Sequence, residues 1–382
     1  MSTDEDKNEG SADVRLDFVL TGWARRPKGG YKVIYEYANE LARGGDEVTI
    51  HHCAGLLASV PGKSLPSLFW LRAIRATVEP WARRLVGRAP IPWMEIDSRV
   101  RLRFHLRAPH RLRTDLVIAT AVDTAPTVER LARRASAPGV YFIQHFEDWA
   151  APKEWVEQTW RLPLKKIVIS DWLSSIGDDL GVKTTLVHNG FAAERFPRGA
   201  PIAERPRLVL CLLSTTPYKR PDLVRAIFER LHTTDPSIVC AAFGVSERPS
   251  DLPPHVVYRR NPAQAELQRL YQDARVFICT SDYEGFGLPP AEALLSGASV
   301  VSTDIGGVRS YARNIFIFAP VGSAEALSAA ALDLLGDPER AQSMVDAGYP
   351  VLAARTIEAA AREFRAALVE AVSSATTETS VQ

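Results

Sequence analysis

The sequence predicts an α/β fold of two doubly wound parallel-sheet domains, and three observations lead to this prediction. The chain has 382 residues, which is too long for one ordinary core when domains average about 150 residues. Short apolar runs alternate with segments of helical period, which is typical of β-α-β units. A stretch rich in proline and arginine, RGAPIAERPR at 198–207, separates two halves of similar size.

The elements of the first half follow from this alternation. The acidic stretch at 1–12 has too few apolar residues to fold, so we expect a disordered tail. The strand LDFVL, the loop TGWARRPKGG and a helix over 31–43 come next, and the strand EVTIHH follows them. Further strands are predicted at LVIAT, GVYFIQ and KIVIS, so the first domain spans 13–195.

The second half repeats the pattern after a linker at 196–207. Its strands are predicted at LVLCLL, IVCAAFG, VVYRR, VFICTS, ASVVST and IFIFAP, within a second domain that spans 208–355. Ligands of open parallel sheets bind outside the carboxyl ends of the strands. We therefore expect the glycine loops of both domains to face a cleft between them.

Composition excludes several classes of protein. The hydrophobic fraction of 46% and charged fraction of 24% are those of a globular protein, and 23 glycines with 26 prolines exclude a collagen-like chain. A net charge of +1 is unlike that of a strongly basic nucleic-acid-binding protein. No apolar run reaches the length of a membrane span, and no signal-peptide core is present. The four cysteines lack metal-ligand spacing and are expected to be reduced thiols in a cytosolic protein.

One region of the first domain concentrates positive charge. Between Pro61 and Thr114, twelve basic residues against three acidic ones give a net charge of +9, so the rest of the chain carries −8. The segment LPSLFWLRAIRATVEPWARRLVGR mixes Leu, Phe and Trp with Arg, as an interfacial amphipathic helix does. We favour a surface helix that packs its apolar face on its own domain and is broken by Pro80. Docking onto anionic lipid, at the inner face of a membrane, is the alternative.

The most specific stretch is Ser281–Arg309, SDYEGFGLPPAEALLSGASVVSTDIGGVR. The strand VFICTS is predicted to end at a glycine loop, and a helix to begin at Pro289-Pro290, because proline suits a first turn. Free amides at the positive end of a helix form a seat for phosphate. The amides in question are those of Phe286, Gly287 and Leu288.

Two carboxylates flank this loop with seven residues between them. Glu284 precedes the loop, and Glu292 is expected in the first helical turn, where a carboxylate can accept hydrogen bonds from sugar hydroxyls. The frame EGFGLPPAEALLSG resembles that of the retaining, two-domain (GT-B) glycosyltransferases of family 4, which transfer a sugar from a nucleotide-sugar. The resemblance implies that Glu284 lies near the donor sugar, that Glu292 binds the nucleotide ribose, and that the three amides bind phosphate.

The resemblance covers nearly the whole chain beyond the tail. KGGYKVIYEYANELARGGDEVTI resembles the family's N-terminal glycine loop, which implies that Gly29 and Gly30 let the backbone approach the donor phosphate or the acceptor; a plain tight turn is the alternative. VHNGFAAERF resembles the segment that enters the linker, and the helix at 356–374 is expected to pack back on the first domain. The implied fold has two Rossmann-like domains, the first for the acceptor and the second for the nucleotide-sugar.

Lys219, in LLSTTPYKRPDL, matches the family lysine that contacts the diphosphate. A cation there stabilises the charge that grows on the leaving nucleoside diphosphate. Many members also have an arginine five residues earlier, where this sequence has Ser214. Either Arg220, or Arg25 or Arg26, substitutes for it, or the donor is held differently.

His145 follows the strand GVYFIQ and matches a histidine that family members carry at the end of this strand. The resemblance implies a hydrogen bond to the transferring sugar, and a purely structural histidine is the alternative. Asp178 and Asp179 are expected on a helix surface, so no metal site is predicted.

The implied function is a cytosolic, metal-independent glycosyltransferase without a cofactor, in which the nucleoside-diphosphate sugar is the donor substrate. Its acceptor is the hydroxyl of a glycan, a lipid-linked saccharide or a small molecule, with polysaccharide biosynthesis as the expected role. A 2-epimerase-like enzyme and a non-catalytic GT-B subunit are the alternatives. In its stretch QHFEDW and in the absence of the arginine, the sequence resembles family branches that use deoxythymidine-diphosphate sugars, such as rhamnosyltransferases. The identity of the donor stays open.

Overall fold

The computed structural model describes residues 13–61 and 67–379, so the tail predicted at 1–12 lies outside the described residues. The chain divides into two compact units. Unit 1 comprises the described residues within Met1–Phe142, Glu147–Lys166 and Arg365–Gln382, and unit 2 comprises Ile143–Phe146 and Ile167–Phe364. The linker predicted at 196–207 therefore lies inside unit 2.

The first sheet has seven parallel strands in the order β3-β2-β1-β4-β5-β6-β7. Its strands are β1 (Arg15–Leu20), β2 (Glu47–Cys53), β3 (Arg101–His105), β4 (Leu116–Ala119), β5 (Gly139–Ile143), β6 (Lys165–Val168) and β7 (Thr184–Leu186). The helices along this part of the chain are α1 (Gly29–Arg43), α2 (Phe69–Leu85), α3 (Ala125–Ala135), α4 (Lys153–Trp160) and α5 (Asp171–Asp179).

The second sheet has six strands in the order β10-β9-β8-β11-β12-β13. Its strands are β8 (Leu208–Leu212), β9 (Val239–Gly244), β10 (Val257–Arg260), β11 (Val276–Cys279), β12 (Ser299–Thr303) and β13 (Ile317–Ala319). The helices that follow α5 are α6 (Pro221–Thr234), α7 (Gln264–Asp273), α8 (Leu288–Leu295), α9 (Gly306–Ala312), α10 (Ala324–Gly336), α11 (Pro338–Ala354) and α12 (Ile357–Thr379).

The prediction of an α/β fold with two doubly wound parallel sheets is confirmed. Strands β4, β5, β11 and β12 are buried along their whole length, as expected for parallel strands that are covered on both faces. Strand order reverses between β1 and β4 in the first sheet and between β8 and β11 in the second. The carboxyl ends of these strand pairs are the switch points at which ligands bind in such sheets.

Two strands were not predicted, and both are edge strands. β3 lies in the basic region, where only Leu102 and Phe104 are buried and the alternating arginines hide the strand pattern. β7 is three residues long and is largely exposed. Neither strand has the continuous apolar run by which the central strands are found.

Helix α2 corrects two predictions about the basic region. The helix continues through Pro80 to Leu85, because a proline removes only one hydrogen bond of the helical ladder and need not end the helix. The favoured prediction that its apolar face packs on its own domain is wrong for most of that face. Phe69, Ala73 and Pro80 are buried, whereas a second row of apolar side chains is exposed: Leu71 by 65%, Ile74 by 45%, Val78 by 57% and Leu85 by 88%.

The last part of α12 belongs to unit 1 and is held there by an ion pair. The guanidinium of Arg365 donates two hydrogen bonds of 2.8 Å to the carboxylate of Asp46, whose side chain is fully buried. Within 13–61 and 67–379, no helix has the length and hydropathy that crossing a bilayer requires. All four cysteines are buried and none is in a disulfide.

Candidate active site

The loop between β11 and α8 presents backbone amides at the start of a helix. Gly287 has φ of 88°, a left-handed conformation that suits glycine, and it immediately precedes α8. The ring of Phe286 is buried against Phe191 and Tyr311, with centroid separations of 5.6 and 4.8 Å. In the described part of the chain, no protein acceptor binds the amides of residues 286–288. The amides that were predicted to bind phosphate are thus available to a ligand in this geometry.

Lys219 and Glu284 form an ion pair at the switch point of the second sheet. Lys219 ends a short 3-10 turn, Pro217–Lys219, after β8, and Glu284 follows β11. The Ser281 hydroxyl donates a further hydrogen bond of 2.6 Å to the same carboxylate oxygen of Glu284. Burial lowers the pKa of Lys219, but the Glu284 carboxylate more than offsets this effect and the pKa is raised. The ammonium group therefore stays charged at neutral pH.

Hydrogen bonds also tie the turn of Lys219 to the loop that follows β11. The Thr280 hydroxyl donates to the Lys219 carbonyl, and the Asp282 amide donates to the Tyr218 carbonyl, each at 2.8 Å. These contacts fix the distance between the backbone segments that carry Lys219 and Glu284. The site is therefore built on rigid elements of one unit.

Arg220 is occupied by protein carboxylates. Its guanidinium lies 2.7 Å from Asp222 and 3.0 Å from Asp282, and the hydrogen bonds that it donates to these carboxylates raise its pKa. To contact a diphosphate, Arg220 would have to exchange one of these partners. Arg220 therefore does not fill the place of the missing arginine in this conformation.

Ser214 lies beside a cavity in unit 2. The cavity has a volume of about 230 Å³, and Ser214, Ser246, Tyr258 and Arg225 are among the residues that line it. Arg225 also pairs with Asp251 at 3.3 Å. Ser214, where the resemblance implies an arginine, therefore borders a space that the Arg225 side chain also lines.

His145 belongs to a cluster of aromatic rings. Its ring centroid lies 5.4 Å from that of Tyr218, 5.5 Å from that of Tyr283 and 5.7 Å from that of Trp172. Tyr218 and Tyr283 stack on each other at 4.7 Å, and the ammonium of Lys219 lies 5.4 Å from the Tyr218 ring. His145 and the ammonium of Lys219 therefore both lie next to the Tyr218 ring.

Glu292 is the fifth residue of α8 and lies beyond its first turn, which corrects the predicted position. Its carboxylate accepts a hydrogen bond of 3.2 Å from the hydroxyl of Tyr271. Burial, followed by the effects of Cys279, Glu284 and Glu292, raises the pKa of Tyr311 well above its usual range. Both glutamates therefore act on one phenol, whose hydroxyl donates a hydrogen bond to the Gly287 carbonyl.

Glycines allow the loop after β11 to pack closely on its neighbours. A Cβ at Gly285 would lie 1.9 Å from the Gln144 carbonyl oxygen, and one at Gly307 would lie 2.1 Å from the Glu284 carbonyl oxygen. No side chain fits at such distances. Gly285 and Gly307 are therefore required by the protein itself, whatever a ligand adds.

Gly29 and Gly30 lie in unit 1 as the first two residues of α1. A Cβ at Gly29 would meet no protein atom within 4 Å, so packing does not require glycine there. The alternative of a plain tight turn is not what the structure has, because both residues are helical. Space remains at this helix start for a ligand to approach the backbone.

Unit 1 contains a cluster of polar side chains that was not predicted, at the carboxyl ends of β1 and β4. The Thr21 hydroxyl donates to Asp123 at 2.5 Å, and the Val122 amide donates to Glu147 at 2.6 Å. Burial raises the pKa of Tyr31, and the charges of Asp123 and Glu147 raise it further. The Tyr31 hydroxyl donates a hydrogen bond to the Thr21 carbonyl. Their position directly after predicted strands was the signal that could have found them.

The aromatic cluster in unit 2 was also missed. Tyr218 and Tyr283 each precede a predicted site residue at the end of a strand, so position alone could have indicated them. Asp178 and Asp179 lie at the exposed end of α5, as expected. Within 13–61 and 67–379, no three His, Cys, Asp or Glu side chains come together as a metal site would require.

One comparison with known proteins concerns the unit that carries this site. Residues 193–351 match the family model of glycosyl transferases group 1. The matched segment contains Lys219, Glu284 and Glu292, and it includes every strand of the second sheet. No curated protein sequence matches the chain significantly.

Solved structures with a similar fold are GT-B glycosyltransferases, which confirms the predicted fold class. Sucrose-phosphate synthase from Thermosynechococcus elongatus is 15% identical, with a TM-score of 0.67 over 91% of this chain and 96% of that one. HepE from Anabaena, in complex with UDP and glucose, is 14% identical, with a TM-score of 0.65 over 94% of this chain and 100% of that one. The catalytic domain of starch synthase IV from Arabidopsis thaliana, bound to ADP and acarbose, is 13% identical, with a TM-score of 0.62 over 95% of this chain and 100% of that one.

Proposed function

We propose that the protein is a retaining glycosyltransferase of family 4 that moves a sugar from a nucleoside-diphosphate sugar to a hydroxyl acceptor. The observation that carries this proposal is the juxtaposition of the Lys219–Glu284 pair with the free amides of residues 286–288. All of these groups lie at the carboxyl end of β8 or β11, where a parallel sheet of this order binds ligands.

In this proposal, unit 2 binds the nucleotide. The ammonium of Lys219 and the amides of residues 286–288 bind the diphosphate, and Glu292 accepts hydrogen bonds from the ribose hydroxyls. An ionised carboxylate has about four acceptor positions, so the bond from Tyr271 leaves capacity for a ribose. Glu284 orients Lys219 and lies toward the donor sugar, and His145 hydrogen-bonds that sugar.

The same residues account for the chemistry. The bond between the anomeric carbon and the phosphate oxygen breaks while the acceptor oxygen attacks from the same face, and the leaving phosphate takes the acceptor's proton. Lys219 and the amides stabilise the transition state more than the bound substrate, because the negative charge on the diphosphate grows as that bond breaks. We propose that these fixed groups neutralise the charge without a divalent ion and that no cofactor takes part.

We assign the binding of the acceptor to unit 1. We also propose that the protein acts in the cytoplasm, in polysaccharide biosynthesis. The helix start at Gly29-Gly30 and the group of Thr21, Asp123 and Glu147 offer backbone approach and hydrogen-bond acceptors for sugar hydroxyls. These features suit a glycan, a lipid-linked saccharide or a small-molecule acceptor.

A donor screen tests the proposal. We expect one of the UDP-, ADP-, GDP- or deoxythymidine-diphosphate sugars to raise the melting temperature, since a ligand at 100 times its Kd stabilises the folded state by ~2.7 kcal/mol. The same donor should release its nucleoside diphosphate when an acceptor glycan is present. Conversion of the donor to its epimer would favour a 2-epimerase, and binding without turnover would favour a non-catalytic subunit. Loss of activity in excess EDTA, with recovery on adding Mg²⁺ or Mn²⁺, would contradict metal independence.

A further inference from the structure

Helix α2 in unit 1 has a solvent-exposed apolar face opposite the one by which it packs. Leu71, Ile74, Val78 and Leu85 recur at helical spacing along this face, and Trp70 and Trp81 border it with exposures of 45% and 42%. Scattered exposed apolar residues are ordinary, but an aligned row of this length is typical of an interaction site. Phe69, Ala73 and Pro80 anchor the opposite face.

Positive charge flanks this face. Arg72, Arg75, Arg84 and Arg88 are exposed, and the guanidinium of Arg84 lies 5.7 Å from the Trp81 ring centroid. Glu79 is the one acidic residue of the helix, and it already pairs with Arg25 and Arg75. Apolar residues bordered by tryptophan and arginine are the composition of helices that lie in a membrane interface.

A cavity adjoins the start of α2. Its volume is about 330 Å³, and Trp70 lines it together with Arg107, Arg130 and Arg134. Within the described residues, none of these three arginines has a carboxylate at ion-pair distance: Arg130 donates to the Thr127 hydroxyl at 3.0 Å and Arg134 to the His110 carbonyl at 3.4 Å. Three uncompensated guanidinium groups around one space make a site for a phosphate group.

We propose that this cavity binds the phosphate of an anionic phospholipid headgroup while the exposed face of α2 lies in the bilayer interface. Trp70 belongs to both features, since it lines the cavity and borders the apolar face. A free anion would satisfy the arginines but would leave the apolar row in water. A phospholipid matches both, because its charged head and acyl chains are joined. The proposal does not depend on the glycosyl transfer proposed above.

Vesicle binding tests the cavity. The full-length protein should co-sediment with equimolar phosphatidylglycerol–phosphatidylcholine vesicles at low salt and much less at about 0.5 M NaCl, where charges are screened. Arg134→Gln should weaken this partitioning about fivefold, the usual effect of one basic residue at an anionic surface. Arg133→Gln is the matched control, because Arg133 is exposed on the same helix and pairs with Glu129 outside the cavity. Equal losses in both variants would overturn the cavity assignment.

A second pair of variants tests the apolar face. Val78 on α2 and Val351 on α11 are exposed by 57% and 55%, so Val78→Ser and Val351→Ser are closely matched changes. We expect Val78→Ser to reduce vesicle binding severalfold and Val351→Ser to leave it unchanged. The same vesicle affinity in both variants would mean that the face meets another partner, such as a protein, and would overturn the proposal.

The source of the phosphate is decided by soluble probes. Inorganic phosphate and glycerol phosphate should bind the protein far more weakly than the vesicles do, as measured by calorimetry and sedimentation at the same low salt. If these soluble anions bind in an Arg134-dependent way and the vesicles do not, the cavity is a site for a soluble phosphate and the proposal is wrong. No binding to anionic vesicles at low salt would also overturn it.

Discussion

At the end of β8, the ammonium group of Lys219 is held by Glu284 and is largely shielded from water. A partly buried, charged lysine in a fixed turn is a preorganised cation, so little reorganisation is needed when negative charge develops beside it. Glu292 is also positioned in advance, since the Tyr271 hydroxyl fixes one of its oxygens. At the scale of the residue, the candidate site is a set of charges whose partners are protein groups until a donor arrives.

Replacing Lys219 should affect turnover more than binding. Lys219→Ala removes the cation that meets the growing diphosphate charge, so we expect kcat to fall by ~10²–10³ with a smaller rise in KM. Lys183→Ala, at an exposed position in the same unit, is the control. Steady-state kinetics at saturating donor provide the measurement, and an unchanged kcat would remove Lys219 from the proposed machinery.

Replacing Glu292 should weaken nucleotide binding. Glu292→Gln keeps an acceptor for Tyr271 but loses the charge, and a hydrogen bond to a charged group is worth ~1.5–3 kcal/mol. We expect calorimetry with the cognate nucleoside diphosphate to show a Kd about tenfold to a hundredfold higher. Tyr271→Phe retains the carboxylate and should bind nearly as well as the native protein. Equal affinities for Glu292→Gln and the native protein would contradict the ribose assignment.

His52 predicts acid sensitivity of unit 1. It is fully buried and stacks on Phe104, and burial lowers its pKa to about 4. Between the folded pKa and the ordinary value of about 6.5, the unfolded chain binds more protons, so stability falls as pH falls through this range. We expect His52 to account for a loss of roughly 2 kcal/mol between about pH 7 and pH 5. Denaturant unfolding should show a flatter pH dependence in His52→Gln, whereas the exposed control His110→Gln should follow the native protein.

At the scale of the element, the loop after β11 owes its position to contacts made by α9. Gly306 and Gly307 begin that helix, and a Cβ at either would collide, with Trp172 in the first case and with the Glu284 carbonyl in the second. The backbone of Glu284 can lie where it does only because α9 has glycine at position 307. Packing of one helix therefore sets the position of a side chain on another element.

A methyl group at Gly307 should displace this loop. Gly307→Ala puts a Cβ 2.1 Å from the Glu284 carbonyl oxygen, and overpacking of this kind costs about 1–3 kcal/mol. We expect a lower melting temperature together with a loss of donor binding, because Glu284 and the amides move. Gly336→Ala, where a Cβ meets nothing within 4 Å, should change neither property. Calorimetry and donor titration of both variants give the comparison, and unchanged donor binding in Gly307→Ala would show that α9 does not position the site.

At the scale of the whole molecule, the carboxyl-terminal helix is shared between the two units of the chain. Residues of α12 up to Phe364 belong to unit 2, and those from Arg365 belong to unit 1. Arg365 reaches Asp46, 319 positions earlier in the chain, next to the turn that ends α1. One ion pair thus closes unit 1 across almost the full length of the sequence.

Removal of Arg365 should destabilise unit 1. Arg365→Met leaves the carboxylate of Asp46 buried without its cation, and breaking a buried pair costs roughly 3 kcal/mol or more. The neighbouring Arg362 is exposed, so Arg362→Met should change stability little. We expect differential scanning calorimetry to show a lower melting temperature only for Arg365→Met; equal behaviour of the two variants would show that the pair is dispensable.

The sequence by itself determined the fold class and much of the proposed site in unit 2. Apolar runs and helical periods mark the central strands and helices because burial of those elements is a local property of each segment. Strand ends in a doubly wound sheet converge on a known edge, which indicated the loop of Glu284, whereas Lys219 and His145 were proposed from their match to positions of the family. The spacing of the two glutamates around the glycine loop added the family resemblance.

Other features were decided only by the tertiary structure. The amphipathic pattern of α2 specifies an apolar face but not what covers it, and its exposure depends on which residues the rest of unit 1 buries. Three features join segments that are distant in sequence or close only through a turn. They are the ion pairs of Arg220, the hydrogen bond from Tyr271 to Glu292, and the cavity lined by Arg107, Arg130 and Arg134. Charge and hydropathy along a chain carry no information on such pairings, because they depend on which side chains the completed fold brings within a few ångströms.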